Sequence, residues 1–504
     1  MTYGQASAAT PIRTALLTLG AIALSGCAAQ EAVRPPNVVF ILADDLGWSD
    51  TGLYGSEFYE TPNIDALAER GMTFTNAYAA AALCSPTRAS ILTGLHPARI
   101  GMTIPNGHVE EVILDKSLQP RGRANHPALM ARSVSRLDLE YFTLAEALKA
   151  AGYETGHFGK WHLGREPYDP LSQGFDVDLP HTPGPSPGGG YFAPWRFWPG
   201  KGEDGEHIED RMAAEASDFM RRNKDRPFLL NYWCFSVHAP IEGKPELVEK
   251  YRAKGNPDNP QRNPINGAMV ETLDDAVGTL VGTIDELGIA DDTVIVFFSD
   301  NGGIIHRFDG GVAVTSNAPL RSGKSSIYEG GVREPLVFVW PQKVESGSRS
   351  VAIVQSIDFY PTLLEVTGTP GRPDTEFDGI SFAPALRGER LNREAIFTHI
   401  PNYSAATLQR PATSVRKGDW KLIRFHCDGP GQTDRYELYN LREDIGEKND
   451  LAESEPERLT ELNSLIDGFL SDTEAVVPTA NPRYQEGLDP FPDGPARSGG
   501  PYAR

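Results

Sequence analysis

Residues 37–48 read Asn-Val-Val-Phe-Ile-Leu-Ala-Asp-Asp-Leu-Gly-Trp. A strand with water on one face would alternate apolar and polar side chains. Asn37–Leu42 (NVVFIL) instead runs apolar, which predicts a strand buried on both faces, as in a parallel sheet covered by helices. Asp44 and Asp45 follow it, at the strand end where open α/β sheets place ligands. The pattern recurs at Phe228–Cys234 (FLLNYWC), at Thr293–Phe298 (TVIVFF) ahead of Asp300 and Asn301, and at Pro335–Trp340 (PLVFVW). Helices are predicted at Thr61–Arg70 with Gly71 as stop, at Ser85–Thr93 with Pro86 in its first turn, at Phe142–Ala151, and at Val270–Leu287. This alternation predicts an α/β fold: a large mixed, mostly parallel sheet sandwiched by helices over residues 37–390.

Past Leu391 the style changes. Ala395–His399, Ala412–Arg416, Trp420–Phe425 and Tyr436–Asn440 read as short strands, followed by a helix near Pro456–Leu470. A smaller C-terminal antiparallel sheet plus helix is therefore expected over 391–472. Residues 473–504 hold six Pro and four Gly and read as an extended tail.

The whole chain has 504 residues, too long for one domain of about 150. With 40% apolar and 23% charged residues it has a soluble globular composition. Lys plus Arg is 47 against 68 Asp plus Glu, a net charge of −21 that argues against nucleic-acid binding. Arg13 precedes the apolar run Ala15–Leu24, which is too short to span about 30 Å of hydrocarbon and fits a signal peptide over residues 1–27. Leu24-Ser25-Gly26-Cys27 resembles a bacterial lipobox, which implies lipidation of Cys27 and a linker over 28–36. The competing reading is a plain signal peptide with an incidental cysteine. Ala28, rather than Asp, implies by resemblance to Gram-negative lipoproteins an outer-membrane anchor, hence the periplasm or cell surface. Membrane contact is then expected through the Cys27 lipid alone.

The most specific segment is Cys84-Ser85-Pro86-Thr87-Arg88. Cys84 stands just before a predicted helix, where backbone N–H groups and the helix dipole favour an anion. Arg88, one turn on, adds a fixed positive charge. Asp44, Asp45, Asp300 and Asn301 offer oxygen ligands without Cys or His, which suits a hard cation. The bland alternative for each pair is a turn residue capping a helix. Lys160 and His162 are two apart, so an extended backbone sends both to one side. His238 follows the second buried strand, and Lys324 precedes Glu329-Gly330-Gly331. His157 and Cys234 read as structural.

These segments resemble the formylglycine-dependent sulfatases of the alkaline-phosphatase-like superfamily. The resemblance runs from about Asn37 to Asn449. It rests on NVVFILADDLGW, LCSPTRASILTG, TGHFGKWHLG, SVHAP, FFSDNGG and YEGGVREP, in the family's order. It implies a sulfuric ester hydrolase in which a maturation enzyme oxidises Cys84 to Cα-formylglycine. It implies Ca²⁺, with Mg²⁺ as the other hard cation, held by Asp44, Asp45, Cys84, Asp300 and Asn301. Arg88 and Lys160 would hold the formylglycine hydroxyls, His162 would act on the second hydroxyl, and His238 and Lys324 would bind sulfate. One hydroxyl would attack sulfur and the other would then expel sulfate, which a serine could not do.

The substrate expected is a sulfated mono-, oligo- or polysaccharide. His108, His181, Trp195, Arg196 and Arg307 are candidate substrate residues. Trp195 and Arg196 fall in the aromatic loop Gly188–Gly200, which could equally pack against its own domain. Competing functions are a formylglycine-dependent phosphonate or phosphodiester hydrolase and a non-catalytic sulfated-glycan-binding lipoprotein. Cys234 and Cys427 are expected unpaired.

Overall fold

The computed structural model describes residues 34–255, 258–307, 311–372 and 375–492, together with Met1 and Gly494. The signal peptide with Cys27, most of the 28–36 linker and the end of the tail lie outside these residues. Residues from Pro35 onward form one compact unit. No helix among the described residues is long and apolar enough to cross a membrane.

The main sheet has eight strands: β1 Asn37–Ala43, β2 Met72–Tyr78, β3 Glu154–Gly159, β4 Val177–Leu179, β5 Phe228–Trp233, β6 Thr293–Ser299, β7 Arg333–Val339 and β8 Ser348–Gln355. Their order is β8-β2-β7-β6-β1-β5-β3-β4. β7 alone runs antiparallel to its neighbours, so the sheet is mixed and mostly parallel as expected. β1 lies near the centre and is buried at all seven residues. Val39 and Ile41 enter the core on one face, Val38, Phe40 and Leu42 the core on the other. That two-sided burial is what the unbroken apolar run encodes.

Flanking helices include α1 Pro62–Glu69, α2 Cys84–Thr93, α3 Leu144–Ala150, α4 Ile208–Asn223 and α5 Pro264–Glu286. α5 begins at Pro264 rather than Val270, because the Asn263 side chain accepts from the Ile265 and Asn266 amides and Pro264 fills the first position. β7 begins at Arg333 rather than Pro335; its register shifts between Glu334 and Leu336, around the proline that cannot donate to the ladder.

The second sheet has four antiparallel strands, β9 Ile396–Ile400, β10 Ala412–Lys417, β11 Trp420–Phe425 and β12 Arg435–Asn440, followed by α6 Pro456–Asp472. As far as Pro492, the segment expected to be an extended tail folds back on the body instead. Thr479–Ala480 pairs with Ala128–Leu129, and Asn481 is 1% exposed with its Nδ2 donating to the Arg123 and His126 carbonyls.

Candidate active site

The carboxyl ends of the central strands deliver the chemistry to one place. Asp44 and Asp45 follow β1, Asp300 and Asn301 follow β6, and Lys160 follows β3. Two of these turns bend sharply: Asp45 has φ 64° and His162 φ 60°, both left-handed. Non-glycine residues adopt that conformation at a cost and mostly where surrounding structure enforces it. The Asp45 amide is held by Asp300 Oδ1 at 3.2 Å. Behind Asn301, Gly302 crosses another backbone so closely that a Cβ would sit 1.9 Å from the Gly330 carbonyl oxygen. Only glycine fits there.

Cys84 opens α2, a helix buried at every residue, and is itself 1% exposed. Ligand atoms of Asp44, Asp45, Cys84 and His238 all lie within 4.8 Å of one another. The buried Arg88 guanidinium donates Nε–H to Asp300 Oδ2 at 2.9 Å and Nη1–H to the Lys160 carbonyl at 2.6 Å. Lys160 Nζ donates to Asp44 Oδ2 at 2.5 Å, and Lys324 Nζ lies 2.7 Å from each Asp45 oxygen. His238 donates Nδ1–H to the Ala239 carbonyl at 2.7 Å, which leaves Nε2 facing Asp45 Oδ2 at 3.7 Å. His162 Nε2 shares a 2.9 Å hydrogen bond with His108 Nδ1.

Burial and charge set the protonation states. Burial pushes the Cys84 thiol up to about 11, with Lys160 and Lys324 opposing it. As a plain cysteine it is therefore a protonated, poor nucleophile. Burial also raises the Asp300 carboxyl to about 6, helped by Asp44. Burial works in the same direction on Asp45, but Lys324, His238 and Lys160 outweigh it and hold Asp45 below the usual carboxylate range. Burial, followed by Lys324 and Lys160, lowers His238 to about 3.

The donor set fits a hard cation. Asp44 Oδ1 and Asn301 Oδ1 are buried without a hydrogen-bond partner, an arrangement that costs free energy unless something else satisfies them. The Asn301 Nδ2 donates to Asp45 Oδ1 at 2.8 Å, which fixes the amide's orientation. Three carboxylates (Asp44, Asp45, Asp300) face three cations (Arg88, Lys160, Lys324), so the side chains alone supply no positive surplus for an anion. A divalent ion held by these residues would supply it.

The sequence-derived substrate residues divide. His108 joins the cluster through His162. His181 lies beyond β4 with Nδ1 on Asp178 Oδ2 at 2.7 Å, and Arg196 and Arg307 are exposed. Trp195 does not offer a free ring face: it is 3% exposed, donates Nε1–H to the Tyr191 carbonyl at 3.0 Å and stacks on Trp198. The aromatic loop packs inward, and Tyr191 reaches the Phe235 and His238 carbonyls at 2.7 and 2.8 Å. Sequence reasoning missed that support and missed Glu209. The buried Glu209 carboxylate accepts the Phe235 and Ser236 amides at 2.8 and 2.7 Å and so shapes the turn carrying His238. It also missed His306, which feels both Lys324 and Asp45.

Residues 36–369 match the sulfatase family model, and residues 322–469 match that of the N-sulphoglucosamine sulphohydrolase C-terminal region. The chain belongs to the sulfatase family. This sulfatase is 32% identical to the N-acetylgalactosamine-6-sulfatase of Sus scrofa, over 92% of its own length and 90% of the relative's. It is also 32% identical to Arylsulfatase A of Homo sapiens, over 88% and 89%. Among solved structures it resembles Ps i-CgsB in complex with k-i-k-neocarrahexaose, at TM-score 0.71 and 28% identity, over 87% of this chain and 94% of that one. The fold is accordingly alkaline-phosphatase-like, and the enzyme is a sulfuric ester hydrolase.

Proposed function

We propose that this enzyme releases sulfate from a sulfated carbohydrate, with position 84 matured to formylglycine and Ca²⁺ bound by Asp44, Asp45, Asp300 and Asn301. The observation that carries the reading is the placement of Cys84. It sits at the buried start of α2, within 4.8 Å of Asp44, Asp45 and His238 and beside Arg88, Lys160 and Lys324. A thiol pushed up to about 11 has no use there as a nucleophile, whereas the hydrated aldehyde would supply one hydroxyl to attack and another for its own regeneration. Bound Ca²⁺ would draw charge from a sulfate oxygen. Arg88 and Lys160 orient the hydroxyls at position 84, Lys324 and His238 bind the sulfate oxygens, and His238 would serve as proton donor to the leaving oxygen through Nε2 only once a bound sulfate anion has raised it from about 3 and made it an imidazolium. His162 takes the proton of the second hydroxyl. The carbohydrate class is supported by the relatives, one of them an N-acetylgalactosamine-6-sulfatase and one solved with k-i-k-neocarrahexaose.

The test is production with a formylglycine-generating enzyme, followed by sulfate release from p-nitrophenyl sulfate and a panel of sulfated oligosaccharides. The Cys84 peptide is expected to be lighter by the difference between cysteine and formylglycine, and activity to track that fraction. EDTA is expected to abolish turnover and Ca²⁺ to restore it. Full activity with unmodified Cys84 removes the aldehyde reading, and full activity after chelation removes the metal. The Cys27 anchor and the periplasmic or surface location belong to the same proposal, supported by the lipobox-like segment alone. Metabolic labelling with palmitate, lost in Cys27→Ser, tests them.

A further inference from the structure

His108 has no part in the steps assigned to Arg88, Lys160, His162, His238 and Lys324, yet the fold is built to hold it. Gly107 is pressed so close to His162 that a Cβ there would sit 2.0 Å from the His162 carbonyl oxygen, and only glycine fits. The buried Arg136 side chain donates to the Gly107 carbonyl at 3.2 Å and also to the Val109 carbonyl. Arg165 Nε–H donates to the His108 carbonyl at 3.1 Å. The backbone is thus fixed on both sides of His108. What it delivers is the imidazole: Nδ1 lies 2.9 Å from His162 Nε2, with the ring centres 5.1 Å apart and the planes 40° apart.

His162 is held at its backbone as well. Its carbonyl accepts Ser85 Oγ–H at 2.7 Å, one residue past Cys84. Its ring is buried, with Nε2 engaged by His108 and Nδ1 without a hydrogen-bond partner. A neutral imidazole carries one N–H and one lone pair. For His162 to take a proton at Nδ1, the lone pair has to be there and the hydrogen on Nε2, where it needs an acceptor. His108 Nδ1 is that acceptor. His108 is itself only half-buried, and no hydrogen bond joins its Nε2 to another described residue. Burial, followed by Lys160, holds both rings below the usual histidine range, so neither is a resting place for a proton.

We propose that His108 is a positioning residue that keeps the lone pair of His162 on Nδ1 and passes the Nε2 proton of His162 out to water. In the step that expels sulfate, His162 Nδ1 takes the proton of the second hydroxyl. That O–H electron pair closes the carbonyl, and sulfate leaves with the pair of its C–O bond. His162 Nε2–H then goes to His108 Nδ1 and His108 Nε2–H goes to water. One proton has left, and both rings end neutral with their hydrogens exchanged. Rehydration runs the path inward. His162 Nδ1–H goes to the carbonyl oxygen as a water oxygen bonds to carbon and gives its proton to solvent. A solvent proton returns through His108 to His162 Nε2, and both rings regain their starting state. A residue that only bound substrate would not need its Nδ1 on a buried catalytic nitrogen. The inference rests on the role given to His162 above.

The test has two arms. The first uses the full chain in its cysteine form, with ¹⁵N-labelled histidine and two-bond ¹H–¹⁵N correlation near neutral pH, and His162→Gln to assign the signal. His162 should be neutral with its hydrogen on Nε2. A hydrogen on Nδ1 overturns the proposal, and this arm needs no His108 variant to fold. The second uses the matured enzyme. His108→Ala should lower kcat on p-nitrophenyl sulfate roughly tenfold to a hundredfold and hold kcat/KM, with a burst of one p-nitrophenol per active site, because transfer to the enzyme is untouched and release is slowed. His108→Asn places an amide oxygen where Nδ1 stood, so it should keep the Nε2 hydrogen of His162 and recover part of kcat. An unchanged kcat in both variants overturns the proposal and makes His108 a brace. A raised KM at unchanged kcat overturns it too and makes His108 a substrate contact. A parent that releases no sulfate overturns the functional reading beneath it, while the tautomer still decides whether His108 sets the His162 ring.

Discussion

Cys84 and Arg88 occupy the same helix, both fully enclosed, yet their removal should read out differently. Cys84 contributes a small side chain and no ion pair. Cys84→Ala is expected to lose all turnover while costing about 1 kcal/mol of stability. Arg88 is the charge partner of Asp300 at 2.9 Å, with both side chains fully buried. Arg88→Ala strands a buried carboxylate and should cost about 3 kcal/mol or more, measured by urea unfolding, besides abolishing turnover. Burial already raises Asp300 to about 6 with the arginine present. Equal stability of the two variants would refute this assignment of Arg88.

The elements that carry the site were legible where a local pattern encodes them. A strand buried on both faces must be apolar throughout, so the residues where polarity resumes, Asp44 and Asp300, mark strand ends. Contacts made across sequence leave no such trace. Glu209 meets the Phe235 and Ser236 amides across 26 and 27 residues, and nothing in the local period of α4 tells which acidic residue turns inward. Trp195 shows the same limit: an aromatic loop reads alike whether its rings face sugar or core. The second sheet holds a further hidden pair. His399, on β9, and His426, just past β11, both hydrogen-bond Thr413 Oγ1 at 2.8 Å, and His399 also reaches the Val476 carbonyl at 3.3 Å. Burial lowers His399 to about 3. The unfolded chain binds that proton near pH 6.5 and the folded chain does not until about 3, so the stability His399 confers is complete above pH 6.5 and falls as pH drops from there. His399→Gln keeps a neutral donor towards Val476. Relative to it, the parent should lose on the order of 2 kcal/mol between pH 7.5 and 4.5. Parallel stability curves for the two proteins would refute the buried neutral imidazole.

At the scale of the molecule, the −21 net charge and the anionic substrate are reconciled by confinement. Arg88, Lys160 and Lys324 balance Asp44, Asp45 and Asp300 within one pocket, so a single divalent cation bound there would leave that pocket locally positive whatever the net charge of the body. A second confined charge group joins the two sheets. Lys421 on β11 is 3% exposed and lies 2.9 Å from both Glu329 and Glu447, and Glu329 also accepts from Tyr78 on β2 at 2.6 Å. Glu329 opens the short helix Glu329–Val332, five residues beyond Lys324, so the clamp also braces the segment that brings that lysine to Asp45. Burial pushes Glu447 up to about 7 even with Lys421 beside it. Lys421→Met leaves Glu447 buried without its cation and Glu329 with Arg333 alone at 3.6 Å, and should cost about 3–5 kcal/mol in urea unfolding, with a fall in kcat as the Lys324 segment loosens. Lys417→Met, on β10 of the same sheet, breaks solvent-exposed pairs with Glu394 and with Glu461 of α6 and should leave the urea midpoint nearly unchanged. Adding Glu447→Gln to Lys421→Met removes that stranded charge. The double variant should therefore be more stable than Lys421→Met alone, a non-additivity that simple loss of packing by the lysine stem does not produce. Additive losses, or a Lys421→Met cost no larger than that of Lys417→Met, would show that the two sheets are held together by their apolar contacts and not by this buried clamp.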